Sequence, residues 1–474
     1  MSYILLVNTN RLRPRIAPLA LDYLATSLTK AGFEVKIFDL AFQNKGFSKK
    51  LFNLLKRKKP LLVGISLRNL DDCYFLSGKF LASQTRWLIG WLKRSFSFPV
   101  VVGGVGYSLA PGSLLKYLGA DFGIYGDGEG SMVKLAQALA GARPPEEKDM
   151  PGLVLPDKKP EQRAEFELKN FFPQRSFIAN QRYFQLGGQM GIETKRGCDG
   201  KCIYCADLSA KGKKFRLRSP ESVVEELKQL VAQGIWAFHL CDSEFNRPYY
   251  HSVRVLEAII RSGLGKKIKL WGYFSPKPFD EELARLYARA GGAGICFGAD
   301  SGSEKMLKNL GRDHSPEDLV RAVQLCKKYQ IRTMLDLLLG APGESKKTLK
   351  ETIRLMKKIK PERVGVSFGV RIFAHTLLEK FLRENGGDAH PGVIGDFEDN
   401  PELVYPVFYL EPGLQKDGLE YLKKLIDDDP RFFLPSSPEK EQNYNYSQNL
   451  YLERLIKKGA RGAYWDILAQ ASSF

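Results

Sequence analysis

Short runs of β-branched and aliphatic residues alternate with amphipathic stretches along most of this chain. In the first 140 residues the apolar runs Tyr3–Val7, Val35–Asp39, Leu61–Ser66, Pro99–Val102 and Phe122–Tyr125 predict strands. Leu19–Ala31 and the region near Leu76–Arg94 carry apolar positions at helical spacing. Continuous apolar strands separated by helices imply a parallel sheet covered on both faces. Prolines 144, 145, 151, 156, 160 and 173 then break the rhythm and predict a linker with one or two short strands.

The alternation returns at Gly191. Strands are predicted at Gly191–Thr194, Ala237–Cys241, Lys269–Phe274, Gly294–Gly298, Thr333–Leu339 and Arg363–Val370. Helices fall between them at Pro220–Gln233, Asp280–Ala290, Ser315–Tyr329 and Ser345–Lys358, several behind a Ser or Asp cap. Six β/α units predict a partial barrel with its chemistry at the strand C-termini. The fold class expected is therefore α/β: an N-terminal Rossmann-like parallel domain (1–145), a linker (146–185), a partial (β/α)6 TIM-like barrel (186–385) and a mostly helical C-terminal extension (386–474). The extension, with Tyr405–Tyr409, is expected either to cap the barrel mouth or to pack as ordinary structure.

With 44% hydrophobic and 26% charged residues, the 474-residue chain reads as folded and multidomain. No apolar run approaches the ~20 residues that span a bilayer, and the apolar start at Tyr3 follows no basic segment, so a cytoplasmic protein is expected. The net charge of +19 would suit an acidic partner. The run Lys56–Lys59 before Pro60 is explained equally by cations at a helix C-terminus. No spacing of a nucleic-acid module accompanies the charge, and nucleic acid is not an expected partner.

Seven cysteines, an odd number, argue against a disulfide framework. Three of them, Cys198, Cys202 and Cys205, fall within eight residues just after a predicted strand. Thiolates suit iron–sulfur clusters or zinc. Structural zinc wants four protein ligands, and no second cysteine pair exists, so a cluster with one open iron is the better reading.

This CxxxCxxC loop, with Tyr204 before its third cysteine, resembles the radical S-adenosylmethionine (SAM) superfamily. The resemblance implies a 4Fe–4S cluster whose open iron binds SAM. It also assigns SAM contacts to Asp242, Ser243 and Glu244 (a GGE-like position lacking its glycines), Asp300 and Ser301 (where Glu-Ser-Gly is usual), Arg312, and the Gly340 and Pro342 turn. A parallel α/β domain before such a barrel is similar to cobalamin-binding domains. On that resemblance Pro18, Leu19, Ser66, Leu67, Arg68, Asn69, Gly103, Gly104, Tyr125, Gly126 and Glu129 would border cobalamin, the glycines admitting a flat macrocycle. A dinucleotide fold would need GxGxxG after the first strand, and none is present.

None of the five histidines lies in the front domain, so no front-domain imidazole is expected on the cobalt; water, no ligand, or Arg68 or Asn69 would face it. The family resemblance implies methyl transfer from SAM through methylcobalamin to an unactivated carbon, with a second SAM yielding a deoxyadenosyl radical. The substrate would be a small molecule, peptide or protein, the electron donor a flavodoxin or ferredoxin, and the enzyme a monomer. A non-methylating rearrangement or cyclisation, and a non-catalytic cobalamin or redox sensor, are the competing readings. A tRNA methylthiotransferase would need further cysteines in front, where only Cys73 stands. His375, ending the sixth barrel strand, is expected either to face substrate or to be a satisfied structural group.

Overall fold

The computed structural model describes residues 3–43, 46–158, 162–434 and 446–471. Its strands, in chain order, are β1 (Tyr3–Asn8), β2 (Glu34–Asp39), β3 (Leu62–Ser66), β4 (Val100–Gly103), β5 (Phe122–Ile124), β6 (Leu153–Val154), β7 (Met190–Ile192), β8 (Lys195–Arg196), β9 (Arg216–Leu217), β10 (Ala237–Leu240), β11 (Lys269–Phe274), β12 (Gly292–Asp300), β13 (Arg332–Leu339), β14 (Arg363–Phe368), β15 (Val370–Arg371), β16 (Val393–Ile394), β17 (Phe408–Tyr409) and β18 (Phe432–Phe433).

The first sheet has the order β2-β1-β3-β4-β5-β6, parallel except for its last strand. β1 is buried along its whole length, as its unbroken apolar run requires. The order reverses between β1 and β3, which makes their C-terminal ends the ligand crevice of a doubly wound sheet. β6 comes from the proline-rich stretch and completes this sheet. The helix expected near Leu76–Arg94 begins only at Ser83; the residues before it form turns and an isolated bridge between Asp71 and Phe80.

The second sheet is parallel throughout, in the order β7-β10-β11-β12-β13-β14-β18. Its six expected strands are joined by a seventh, β18, from the C-terminal region. That region also contributes β16 and β17, which pair with β15 in a small antiparallel sheet. Helix Tyr464–Ala471 closes the lower end of the barrel. Trp271 donates to Asp466 Oδ2 (3.0 Å), Arg332 pairs with the same carboxylate, and Arg363 Nη2 donates to the Ala469 carbonyl (3.1 Å). Gly294 leaves room for this plug: a Cβ there would lie 2.7 Å from Trp271 and 3.0 Å from Trp465. Tyr405 instead packs on front-domain rings, 5.0 Å from Phe80 and 6.0 Å from Tyr117.

Two buried ionic networks join the halves. Arg175, from the linker, binds Asp22 of helix Leu19–Lys30 (2.9 Å) and Glu226 of helix Pro220–Val231. Glu226 also receives Arg218 and the Tyr23 hydroxyl (2.9 Å). Beside it, Asp127 gathers Arg163 (3.1 Å), Arg216 (3.1 Å) and Arg196 (3.5 Å). Buried charges of this kind are tolerated because each is paired and hydrogen-bonded. Among the described residues, no helix is long and apolar enough to cross a membrane.

Candidate active site

The cysteine loop leaves the barrel after β7 and is framed by the hairpin β8–β9. Its base is fixed by Asp242, at the end of β10, which accepts from the Thr194 amide (2.8 Å), the Thr194 hydroxyl (2.5 Å) and the Lys195 amide (3.2 Å). Asp242 thus has both oxygens turned to the loop it supports, not to a ligand. Inside the loop the Gly200 amide donates to Cys198 Sγ at 3.4 Å. A Cβ on Gly200 would stand 3.3 Å from Cys198 Sγ and 3.7 Å from Cys202 Sγ, so both sulfurs flank one point.

Burial raises the pKa of all three thiols, and for Cys205 the other two add to the effect. Among the described residues no three His, Cys, Asp or Glu side chains gather tightly enough for a single metal ion. Three soft donors on one short loop fit a larger iron–sulfur core, which takes one thiolate per iron and whose positive irons offset the cost of ionising buried sulfur.

Arg312 is the hub beside them. Its nitrogens donate to Cys202 Sγ (3.0 Å), Glu244 Oε1 (3.0 Å) and the Gly298 carbonyl (2.8 Å), and Asp300 Oδ2 lies 3.4 Å from Nε. Tyr204 donates its hydroxyl to the same Asp300 oxygen at 2.6 Å. Asp300 itself has φ 55°, a left-handed conformation that turns the chain sharply at the end of β12. Tyr204, Glu244, Asp300 and Arg312 are therefore brought together next to the cysteines.

Other residues singled out by motif serve the frame. Ser243 donates to Asp207 (2.6 Å). Ser301 is fully buried and bonds the Thr352 hydroxyl (2.9 Å). The Gly340 carbonyl accepts from the Glu411 amide (2.9 Å) and the Pro342 carbonyl from Asn309 (3.1 Å), tying that turn to its neighbours. His375 is largely exposed and lies 3.6 Å from Glu402, so it does not face the barrel interior.

In the front domain, Leu67, Arg68 and Asn69 follow β3 at the crevice. Gly104 and Gly106 are required by this loop: a Cβ would stand 2.6 Å from the Leu67 carbonyl oxygen and 2.9 Å from the Asn69 carbonyl carbon. Gly126 likewise abuts Ala164, whose carbonyl would lie 2.4 Å from a Cβ. These three close approaches are between loops of the protein. Glu129 has both oxygens on Arg196 (2.7 and 3.0 Å) and clamps the two halves together. Pro18 and Leu19 open the first helix at the same junction, where Leu19 approaches Gly191 of β7. Ser66 accepts from Thr9 through its carbonyl (2.8 Å), tying β3 to the end of β1; Gly103 ends β4, and Tyr125 pairs by its backbone with Gly152 and Ala164.

Arg68 is exposed, yet Cys241, Tyr273 and Tyr464 of the barrel half all act on its charge. Tyr273 is 44% exposed although Cys296, Asp336, Cys241 and Arg68 surround it. Exposure combined with close neighbours from both halves marks an internal chamber between the two sheets. Sequence periodicity missed its lower lining, Tyr446 and Tyr464, because both come from the C-terminal region; their rings lie 5.7 Å apart. Arg68 thus lies where the front domain meets the barrel, and the cysteine loop opens at the barrel's strand ends.

Residues 6–136 match the B12 binding domain family and residues 192–356 the radical SAM superfamily. The chain is 30% identical to a tryptophan 2-C-methyltransferase of Streptomyces laurentii, over 97% of this chain and 94% of that one. It superposes with a TM-score of 0.92 on the radical SAM methyltransferase TsrM of Kitasatospora setae, solved with tryptophan and a SAM analogue (30% identity, 100% and 98% coverage). The same protein has been solved with cobalamin and a [4Fe-4S] cluster (TM-score 0.90). The cobalamin-dependent radical enzyme OxsB shares the fold (TM-score 0.73, 17% identity, 90% of this chain and 67% of that one).

Proposed function

Because this chain belongs to the cobalamin-dependent radical SAM methyltransferase family, we propose that it methylates a free aromatic amino acid, tryptophan or a close relative, on a ring carbon. The enzyme is a methyltransferase that uses SAM, cobalamin and a 4Fe–4S cluster. SAM supplies the methyl group and cobalamin carries it. In the net reaction a C–CH3 bond replaces a C–H bond and a proton is released. The observation that carries the substrate reading is similarity over nearly the whole of both chains to a tryptophan methyltransferase. The aromatic lining of the chamber, Tyr273, Tyr446 and Tyr464, supports it by offering faces for a planar ring. A peptide or protein substrate, open on sequence alone, is the weaker choice.

In this reading Cys198, Cys202 and Cys205 hold the cluster. Tyr204, Glu244, Asp300 and Arg312 border SAM, with the Arg312 fork and the carboxylates offering charge to an amino acid's two termini. Ser66–Asn69 and the ends of β1 and β4 would border cobalamin, with Arg68 among the side chains available to it. Asp242, Ser243, Ser301, Gly340 and Pro342 position these groups through the contacts described above. The chain acts as a monomer in two functional halves meeting in the linker region 146–185, with a flavodoxin or ferredoxin as reductant.

The test is anaerobic turnover of the cluster-reconstituted, cobalamin-loaded chain with methyl-deuterated SAM and tryptophan. Trideuteromethyl on an indole carbon, located by mass spectrometry and NMR, is the expected product. Methylation of other amines or peptides with tryptophan left untouched would reject the substrate.

A further inference from the structure

The methyl-transfer chemistry leaves one titratable group of the barrel interior without a task. On β10, Phe238 and Leu240 are buried on one face of the sheet, and His239 between them turns to the other, where it is partly exposed. The ring of Tyr273, from β11, packs edge-on against its imidazole with centres 5.1 Å apart, so His239 shares the chamber that Tyr273 lines. Its Nδ1 is sealed off and has no hydrogen-bond partner. Nε2 has no protein partner among the described residues either, but it is not sealed and opens to the chamber. Burial, with the Arg68 charge adding to it, lowers the imidazole pKa to about 4 against the pull of Asp242, so the ring is neutral and a poor base. A neutral imidazole carries one N–H. Buried N–H groups without an acceptor are rarer than buried acceptors without a donor, so the proton belongs on Nε2. His239 thus aims an uncharged donor into the chamber.

Resting on the reading of the substrate as a free aromatic amino acid, we propose that His239 binds the substrate's carboxylate through its Nε2–H. The ligand's own inventory selects that group. Zwitterionic tryptophan offers donors at its ammonium and its indole nitrogen, and acceptors only at the carboxylate oxygens. The Arg68 charge, which reaches His239 from the front domain, favours an anion at the same place. A bond from an imidazole N–H to a carboxylate is charge-assisted and stronger than one between neutral groups. Tyr273 fixes the ring's direction by packing on it. An amine that lacks the carboxylate, or a tryptophan whose carboxyl is tied up in a peptide bond, leaves the donor without its charged partner. A site built on a hydrogen bond rejects an analogue in this way.

Calorimetry on the cluster- and cobalamin-loaded chain tests this with two probes, tryptophan and tryptamine, which lacks only the carboxylate. The native chain is expected to prefer tryptophan. H239F keeps an aromatic ring against Tyr273 and removes the donor. It should weaken tryptophan about 10- to 100-fold, the range for a hydrogen bond to a charged group, and leave tryptamine unchanged. H239Q sets an amide N–H near the position of Nε2 and should restore most of the affinity; H239N reaches less far and should not. Iron content, cobalamin content and melting temperature report whether each variant is folded, and SAM affinity reports whether the acceptor belongs to SAM. Should H239F lose its cofactors, H239Q against H239N carries the test, and equal preference in the two overturns the assignment. An H239F chain that keeps its cofactors and binds tryptophan as the native chain does overturns it, as does one that weakens both probes alike or loses SAM affinity instead. A native chain that binds tryptophan and tryptamine equally overturns the assignment alone. One that binds neither overturns the substrate reading and this assignment with it.

Discussion

Arg312 donates one nitrogen to Cys202 Sγ at 3.0 Å and another to Glu244 Oε1 at the same distance, linking the cluster loop to the end of β10. With the Gly298 carbonyl as a third partner, Asp300 is the fourth and closes a group of charges that is almost wholly buried.

Replacing Arg312 by Ala removes the shared cation from two buried carboxylates, leaving Asp300 the Tyr204 hydroxyl and Glu244 the longer Arg247 pair at 3.7 Å. Losing one partner of a buried pair costs about 3–5 kcal/mol. Arg312→Ala is expected to lower the urea midpoint clearly and to weaken SAM binding, measured by equilibrium dialysis, at least about tenfold. Arg312→Lys, which keeps charge but not the planar fork, should fall between. Native SAM affinity in Arg312→Ala would remove this residue from the SAM site.

Glu129 supports a different outcome. Both of its oxygens are on Arg196, so Glu129→Ala removes the bidentate partner of a guanidinium that keeps Glu193 (2.9 Å) and Asp127 (3.5 Å). Stability should fall by about 1–3 kcal/mol, and limited proteolysis should speed up between 141 and 185. Cobalamin retention per folded chain should change little. Loss of cobalamin with unchanged stability would restore Glu129 to the ligand set.

Glu344, after β13, is 4% exposed, and burial pushes its carboxyl up to about 7. Between about pH 4.5 and 7 the folded chain holds a proton that the unfolded chain has released. Stability therefore falls as pH rises through that window and is level above it. The change is about 3 kcal/mol. Glu344→Gln should remove this slope from urea midpoints measured across the window; an unaltered slope would place the proton elsewhere.

Asp466 ties the plugging helix to Trp271 and Arg332. Asp466→Ala is expected to cost about 2–4 kcal/mol and to expose the Trp271 indole, read as a red shift in its fluorescence. No shift would mean the barrel floor stands without it.

The strands were legible because a buried parallel sheet demands unbroken apolar runs, as in Tyr3–Val7, and capping residues such as Ser315 and Ser345 mark helix starts. The cysteine loop was legible from its spacing alone. Direction was not. Asp242, Ser301 and Glu129 sit at motif positions, yet each points at a protein partner, and local sequence carries no sign of which way a side chain turns. Tyr446 and Tyr464 line the chamber from more than 100 residues beyond Asp336, through packing that no short-range period records.

The Asp22–Arg175–Glu226–Arg218 network bears on attempts to build chimaeras. Grafting the front half onto another barrel at a boundary near residue 145 would carry Asp22 and Tyr23 across without the arginines and glutamate that neutralise them. A transplantable unit must take Arg175 and the helix bearing Glu226 along, so the portable module is larger than the cobalamin half and ends inside the barrel.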